Sequence, residues 1–160
     1  MMPEPTSQHR WLLQLVGNWT FEGDADIAPG EPPFHSTGTQ TVRALGDLWI
    51  LAEGESEMPG GGLGRTIITL GYDSAQGRYL GTFVGSMMTH LWIYDGAFDD
   101  ASQTLTLTAE GPAMDGSGGT ATYQDIIELK SPDHYIFRAR IRDAEGNWTQ
   151  FMTAHYRRRK

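Results

Sequence analysis

The 160-residue sequence has no cysteine. Neither a disulfide framework nor a thiolate metal site can form and thiol catalysis is excluded, so the fold must stand on packing alone. Long apolar runs are missing too: no window approaches the roughly 18 residues that a membrane-spanning helix needs. The opening Met1-Met2-Pro3-Glu4-Pro5-Thr6 carries neither the basic nor the apolar segment of a secretory leader. Together these features predict a soluble, cytoplasmic protein. Cations are scarce, with twelve Lys and Arg against twenty Asp and Glu for a formal charge of −8. Four of the twelve are the last four residues, Arg157-Arg158-Arg159-Lys160, so residues 1–156 carry 8 − 20 = −12. Counterion release along a phosphate backbone needs a basic stripe, and nucleic acid is therefore not an expected partner. The terminal run reads as a solvated tail.

What the chain does have is period-two alternation. Apolar and polar residues alternate in ten runs: Trp19 to Ala25, Thr39 to Leu45, Leu48 to Glu57, Thr66 to Tyr72, Tyr79 to Met87, His90 to Phe98, Thr104 to Ala109, Thr120 to Leu129, His134 to Ile141 and Trp148 to Tyr156. Loops beginning Asp73-Ser74, Asp99-Asp100 and Asp143-Ala144 separate some of them, each with an Asp that can bond the backbone two residues on. A short helical pattern, roughly Gln8 to Val16, precedes the first run and gathers Trp11, Leu12, Leu15 and Val16 on one side. The expected organisation is a flexible N-terminus over 1–7, one domain over 8–157 and a basic tail over 158–160. Ten regularly spaced strands with one helix argue for an all-β antiparallel meander closed into a barrel, since closure leaves no exposed edge. The helix is expected to cap one end. Eight strands leave room for one small ligand, and ten leave more.

With Trp19 taken as inside, parity sorts the faces. Trp49, Leu51, Glu53 and Glu55 share one face of the third run; Tyr79, Phe83 and Met87 share one of the fifth. His90, Trp92, Tyr94 and Phe98 align on the sixth, Tyr123, Asp125, Ile127 and Leu129 on the eighth. Carboxylates on apolar faces cost several kcal/mol unless they are paired. The expected ligand site is therefore Glu53, Phe83, Met87, Met88, His90, Trp92, Tyr94, Tyr123 and Asp125, with Trp49 also under the ligand body and Glu55 at the rim. On the last run Trp148, Met152, Ala154 and Tyr156 make an equally good inward face, which would turn His155 outward, so parity leaves the direction of His155 open.

Enzymatic signatures are thin. The five histidines, His9, His35, His90, His134 and His155, show no metal-ligand spacing on one element. No serine lies in a Gly-x-Ser-x-Gly elbow, and the glycines at 60, 61, 62 and 64 do not lead a strand into a helix as a phosphate loop would. Asn18-Trp19-Thr20 and Asn147-Trp148-Thr149 match the glycosylation acceptor, and with no secretory pattern in the opening residues both are expected to be chance matches. Glu53 with His90 is the pair that could perform general acid/base chemistry on a small hydrophobic substrate, as a cofactor-free isomerase or hydratase.

The helix followed by Gly17-Asn18-Trp19, together with the arginines ending the last strand, resembles the lipocalin and calycin pattern. That resemblance implies structural roles for Gly17, Trp19 and a terminal-strand arginine over the indole, here taken as Arg157. Longer segments, among them Met58-Pro59-Gly60-Gly61-Gly62, Thr69-Leu70-Gly71-Tyr72-Asp73, Gly81-Thr82-Phe83-Val84-Gly85-Ser86-Met87-Met88-Thr89-His90-Leu91-Trp92 and Phe151-Met152-Thr153-Ala154-His155-Tyr156, resemble the bacterial family called domain of unknown function 1579. It implies a calycin-like barrel without an assigned activity. The architecture is also similar to that of the haem-binding nitrobindins, which would make His155 the iron ligand. The overall expectation is non-catalytic binding of a small hydrophobic or amphipathic molecule, with no cofactor or metal, in a monomer or a homodimer.

Overall fold

The computed structural model describes residues 2–28 and 30–160; Met1, in the expected flexible N-terminus, lies outside the described residues. Helix α1 spans Ser7–Leu13 and ten strands follow: β1 Gly17–Ala25, β2 Phe34–Leu45, β3 Trp49–Glu57, β4 Leu63–Asp73, β5 Arg78–Gly85, β6 Trp92–Asp99, β7 Thr104–Pro112, β8 Thr120–Ser131, β9 His134–Arg142 and β10 Trp148–Arg158. Each pairs antiparallel with its neighbour in sequence, and β1 pairs with β10, so the sheet closes on itself. The expected all-β barrel with one short capping helix is what the chain forms.

Alternation fixes which side chains enter. In β7, Thr104, Thr106 and Thr108 face outward while Leu105, Leu107 and Ala109 are buried, the pleat placing successive residues on opposite faces. The ends of the barrel differ. At the α1 end, Trp11, Leu12 and Leu15 pack with Trp19, Ile50, Leu70, Tyr79 and Leu105 into a closed core. His9, itself buried, staples the helix there: the Thr6 backbone N–H donates to His9 Nδ1 at 2.9 Å, leaving Nε2–H to donate to the Tyr72 carbonyl at 2.9 Å. This is a capping box with histidine in the place usually taken by Glu or Gln.

The closed end is latched by Arg158. Its Nη1 donates to Val16 O at 2.7 Å and its Nη2 to Gln14 O at 2.8 Å, and the guanidinium carbon lies 4.4 Å from the Trp19 ring centroid. Trp19 Nε1 donates to Leu15 O at 2.9 Å. Gly17 has φ of 145°, and a Cβ there would collide with the Arg158 guanidinium, so the tight entry into β1 excludes a side chain. The latch corrects the assignment to Arg157. With Tyr156 inward, period two turns Arg158 inward and leaves Arg157 exposed. The last strand accordingly runs to Arg158, one residue past the expected domain end.

The third strand is also corrected. Its inner residues are Ile50, Ala52, Gly54 and Ser56, so Trp49, Leu51, Glu53 and Glu55 face outward. Glu53 meets Arg43 at 2.8 Å and Glu55 meets Arg65 at 3.2 Å on the outer surface, where ionised groups keep their water. Trp49 is 37% exposed and lies against Gly71 on the same outer face. A large aromatic at the start of the strand was a misleading guide to its parity.

Candidate functional site

The half of the barrel away from α1 is walled unevenly. Toward β1–β4 most inward positions are small, among them Gly23, Ser36, Gly38, Gly54, Ser56 and Gly64, with Phe34 a large exception at the start of β2. Toward β5–β10 they are large: Phe83, Trp92, Tyr94, Tyr123, Phe137 and Met152. Of these, Phe83, Trp92, Phe137 and Met152 are only half-buried although they point into a closed barrel. Inward side chains that keep partial exposure are packed less completely than the closed core at the α1 end.

The expected site residues divide. On the inner wall, Tyr94 donates its hydroxyl hydrogen bond to Asp125 Oδ2. Asp125 sits mid-strand on β8, opposite Leu107 of β7 and Ala139 of β9. Tyr123 is buried, donates to the Pro112 carbonyl and meets Trp92 edge-to-face at 4.9 Å. Trp92 lies across Gly111, where a Cβ would strike the indole, so glycine lets the ring lie flat on the wall.

Other residues are at the mouth or off the site. His90 precedes β6, donates Nε2–H to the Glu110 carbonyl at 2.9 Å and stands edge-to-face on Trp92 at 4.8 Å. Met88 Sδ accepts from Trp92 Nε1 at 3.0 Å, while Met87 lies against Gly64 and Gly85; both methionines are about 40% exposed. Met87 lies beyond the end of β5, so it crosses the rim instead of continuing the inner face. Glu53 is excluded by its outward position, and the pairing of Glu53 with His90 is not formed. His155 also faces outward and its Nδ1 lies 3.0 Å from His134 Nε2. It therefore cannot ligate iron inside the barrel, and the residues present do not fit a haem bound there.

The electrostatics single out Asp125. Burial pushes its carboxyl from 3.8 up to about 6, opposed by the Tyr94 hydrogen bond, which favours the ionised form. Burial first, then the neighbouring Asp125 charge, pushes the Tyr94 and Tyr156 hydroxyls up, so both stay protonated and available as donors at neutral pH. Among the described residues no group of three or more His, Asp or Glu side chains is arranged to hold a metal ion, and no helix is long and apolar enough to cross a membrane.

Two recesses of about 410 Å³ each lie on the outer surface instead, one between β1, β2 and β10 beside His155 and Arg157, the other across β3–β6 beside Trp49 and Ile93. Both are lined chiefly by outward-facing strand residues, with inward-facing Phe21 and Gly38 reaching the first and Gly81 and Tyr94 the second, and Asp125 lines neither.

Sequence reasoning missed the Tyr94–Asp125 pairing and the role of Gly111. The first joins residues 31 apart across an intervening strand, and no sequence motif marks it.

Several solved structures share the architecture. Rv2717c from M. tuberculosis matches 98% of this chain and 100% of its own at 13% identity with a TM-score of 0.67. The S-type phycobiliprotein lyase CPES from Guillardia theta matches 95% and 92% at 14% identity with a TM-score of 0.60. EF1p2_mFAP2b bound to DFHBI matches 95% and 99% at 10% identity with a TM-score of 0.52. At such identities these likenesses show the fold alone. No curated protein matches the sequence. Over residues 4–158 the chain fits one family pattern, and it belongs to the family described as "Protein of unknown function (DUF1579)".

Proposed function

We propose that the barrel binds a small hydrophobic or amphipathic molecule in its α1-distal half and acts as a cytoplasmic carrier or sensor without catalysis. The observation that carries this reading is the half-buried inner wall: Phe83, Trp92, Phe137 and Met152 point inward yet keep partial exposure, on a wall whose one carboxylate among the described residues is Asp125. A concave apolar site with few polar anchors is the usual form of a small-molecule pocket. In this reading Phe83, Trp92, Tyr94 and Tyr123 support the ligand body, and Met87, Met88 and His90 form an adaptable rim. A barrel of the same architecture, EF1p2_mFAP2b, holds the small molecule DFHBI, which supports the reading.

A second reading is favoured by one observation, the displacement of the Asp125 carboxyl to about 6. A carboxyl so placed can exchange a proton with a bound substrate near neutral pH. Native mass spectrometry of the protein purified gently from its own host tests the first reading. A released adduct of a few hundred daltons, lost on denaturation, is expected. Ligand-free protein that also fails to bind environment-sensitive apolar dyes would refute it. Incorporation of solvent deuterium into the recovered molecule, dependent on Asp125, would favour the second.

A further inference from the structure

Asp125 is, among the described residues, the single carboxylate on the inner face of the strands, and no protein cation faces it. The titratable groups that feel its charge are hydroxyls, Tyr94 from β6 and Tyr156 from β10, whereas Tyr123 on its own strand donates to the Pro112 carbonyl and Tyr135 from β9 donates to Gln40. The inward residues of β7 include Leu105, Leu107 and Ala109. The inward-facing arginine, Arg158, is committed to backbone carbonyls at the closed end. Only Oδ2 is satisfied, by Tyr94. Oδ1 has no hydrogen-bond partner among the described residues, yet no buried side-chain oxygen among them lacks one, so Oδ1 is open to the interior.

We propose that Asp125 Oδ1 anchors a cationic group, so that the barrel selects small organic cations, an amine or amidine on a flat apolar body, over neutral or anionic molecules of the same size. The inference rests on the interior's being a binding site. Three features converge on it. A carboxylate enclosed without a counter-charge is expensive, and a bound cation restores the missing half of the pair. Phe137 and Trp92 are half-buried inward rings on the same wall, and ring surface attracts a cation as well as an apolar body. The net charge of −8 raises the local concentration of cations and lowers that of anions. Among the described residues no inward Lys or His is present at this level to receive an anionic head.

The test uses the full chain and two fluorescent probes of one shape, dansylcadaverine with its free amine and its N-acetylated, uncharged form. At pH 8 and 0.3 M NaCl, the amine is expected to bind about tenfold or more tightly than the acetylated form. Asp125→Asn should bring the two within about twofold by weakening the amine alone. Outer-surface Glu53→Gln should leave the ratio unchanged and so report on diffuse attraction. Amine affinity should fall as the pH drops through about 6. If Asp125→Asn fails to fold, the pH profile of the unaltered chain carries the test, since acetylated-probe affinity should stay flat across the same range. Equal binding of the two probes overturns the cation assignment while keeping the interior as a site; no binding of either overturns both.

Discussion

Replacing Asp125 by Asn should stabilise the protein, and the size of the gain follows from the carboxyl's surroundings. Burial raises it from 3.8 to about 6. Each pKa unit is worth about 1.4 kcal/mol, so keeping the folded protein ionised at this position costs about 3 kcal/mol once the pH is well above 6. The sign follows from proton counts. Below about pH 4 both folded and unfolded chains are protonated and there is no penalty. Between about 4 and 6 the unfolded chain releases its proton while the folded chain holds it, so stability falls as the pH rises. Asn keeps an acceptor for Tyr94 and carries no charge. Its effect on folding should therefore be near zero at pH 4 and reach a gain of about 2–3 kcal/mol at pH 8, read from urea denaturation at a series of pH values. Such a gain marks a group retained for a reason other than stability, since a functional group in an apolar setting is kept at a folding cost. A variant that is equally or less stable at pH 8, with a pH slope like that of the parent, would refute the reasoning.

Removing Tyr94's hydroxyl with Tyr94→Phe takes away the bond that favours the ionised carboxyl, so the Asp125 pKa should move further above about 6, as followed by carbon NMR of the side chain. Arg158→Ala should cost about 2–4 kcal/mol in urea denaturation, because backbone carbonyls at the closed end lose their donors and Trp19 loses its cation, whereas exposed Arg157→Ala should change stability by less than about 0.5 kcal/mol. Gly111→Ala should tilt the Trp92 indole off the wall, altering near-UV circular dichroism and costing about 1–3 kcal/mol.

The barrel was legible because strand pairing here is local. Each strand pairs with the next in sequence, and the Asp-led loops mark the reversals, so alternation and turn chemistry sufficed without any long-range information except the β1–β10 closure. Inner faces could be read wherever the pattern was strict, as in Thr104 to Ala109 or Tyr123 to Leu129. They were misread where a large aromatic stood on the outer surface: Trp49 drew Glu53 and Glu55 inward with it, although both carboxylates have an arginine on the adjacent strand to meet. The same one-residue question decided between Arg157 and Arg158. Asp125 was visible as a carboxylate on an apolar face. Its partner was not, because Tyr94 reaches it across β7 and only the closed sheet brings the two together. His90 looked like part of a catalytic pair on residue type alone, and its imidazole instead holds the Glu110 carbonyl at the mouth.

The absence of cysteine from the chain makes the interior directly measurable. Met152→Cys places a single thiol on the inner face of β10, opposite Ala139 and so level with Asp125. In native buffer this thiol should react with methyl methanethiosulfonate at a rate within about a hundredfold of an exposed cysteine and independent of low urea concentrations, because the reagent enters a standing space. A thiol that stays unreacted until the protein unfolds, with a rate tracking the unfolding equilibrium, would mean that the barrel is filled and that no ligand has room beside Asp125.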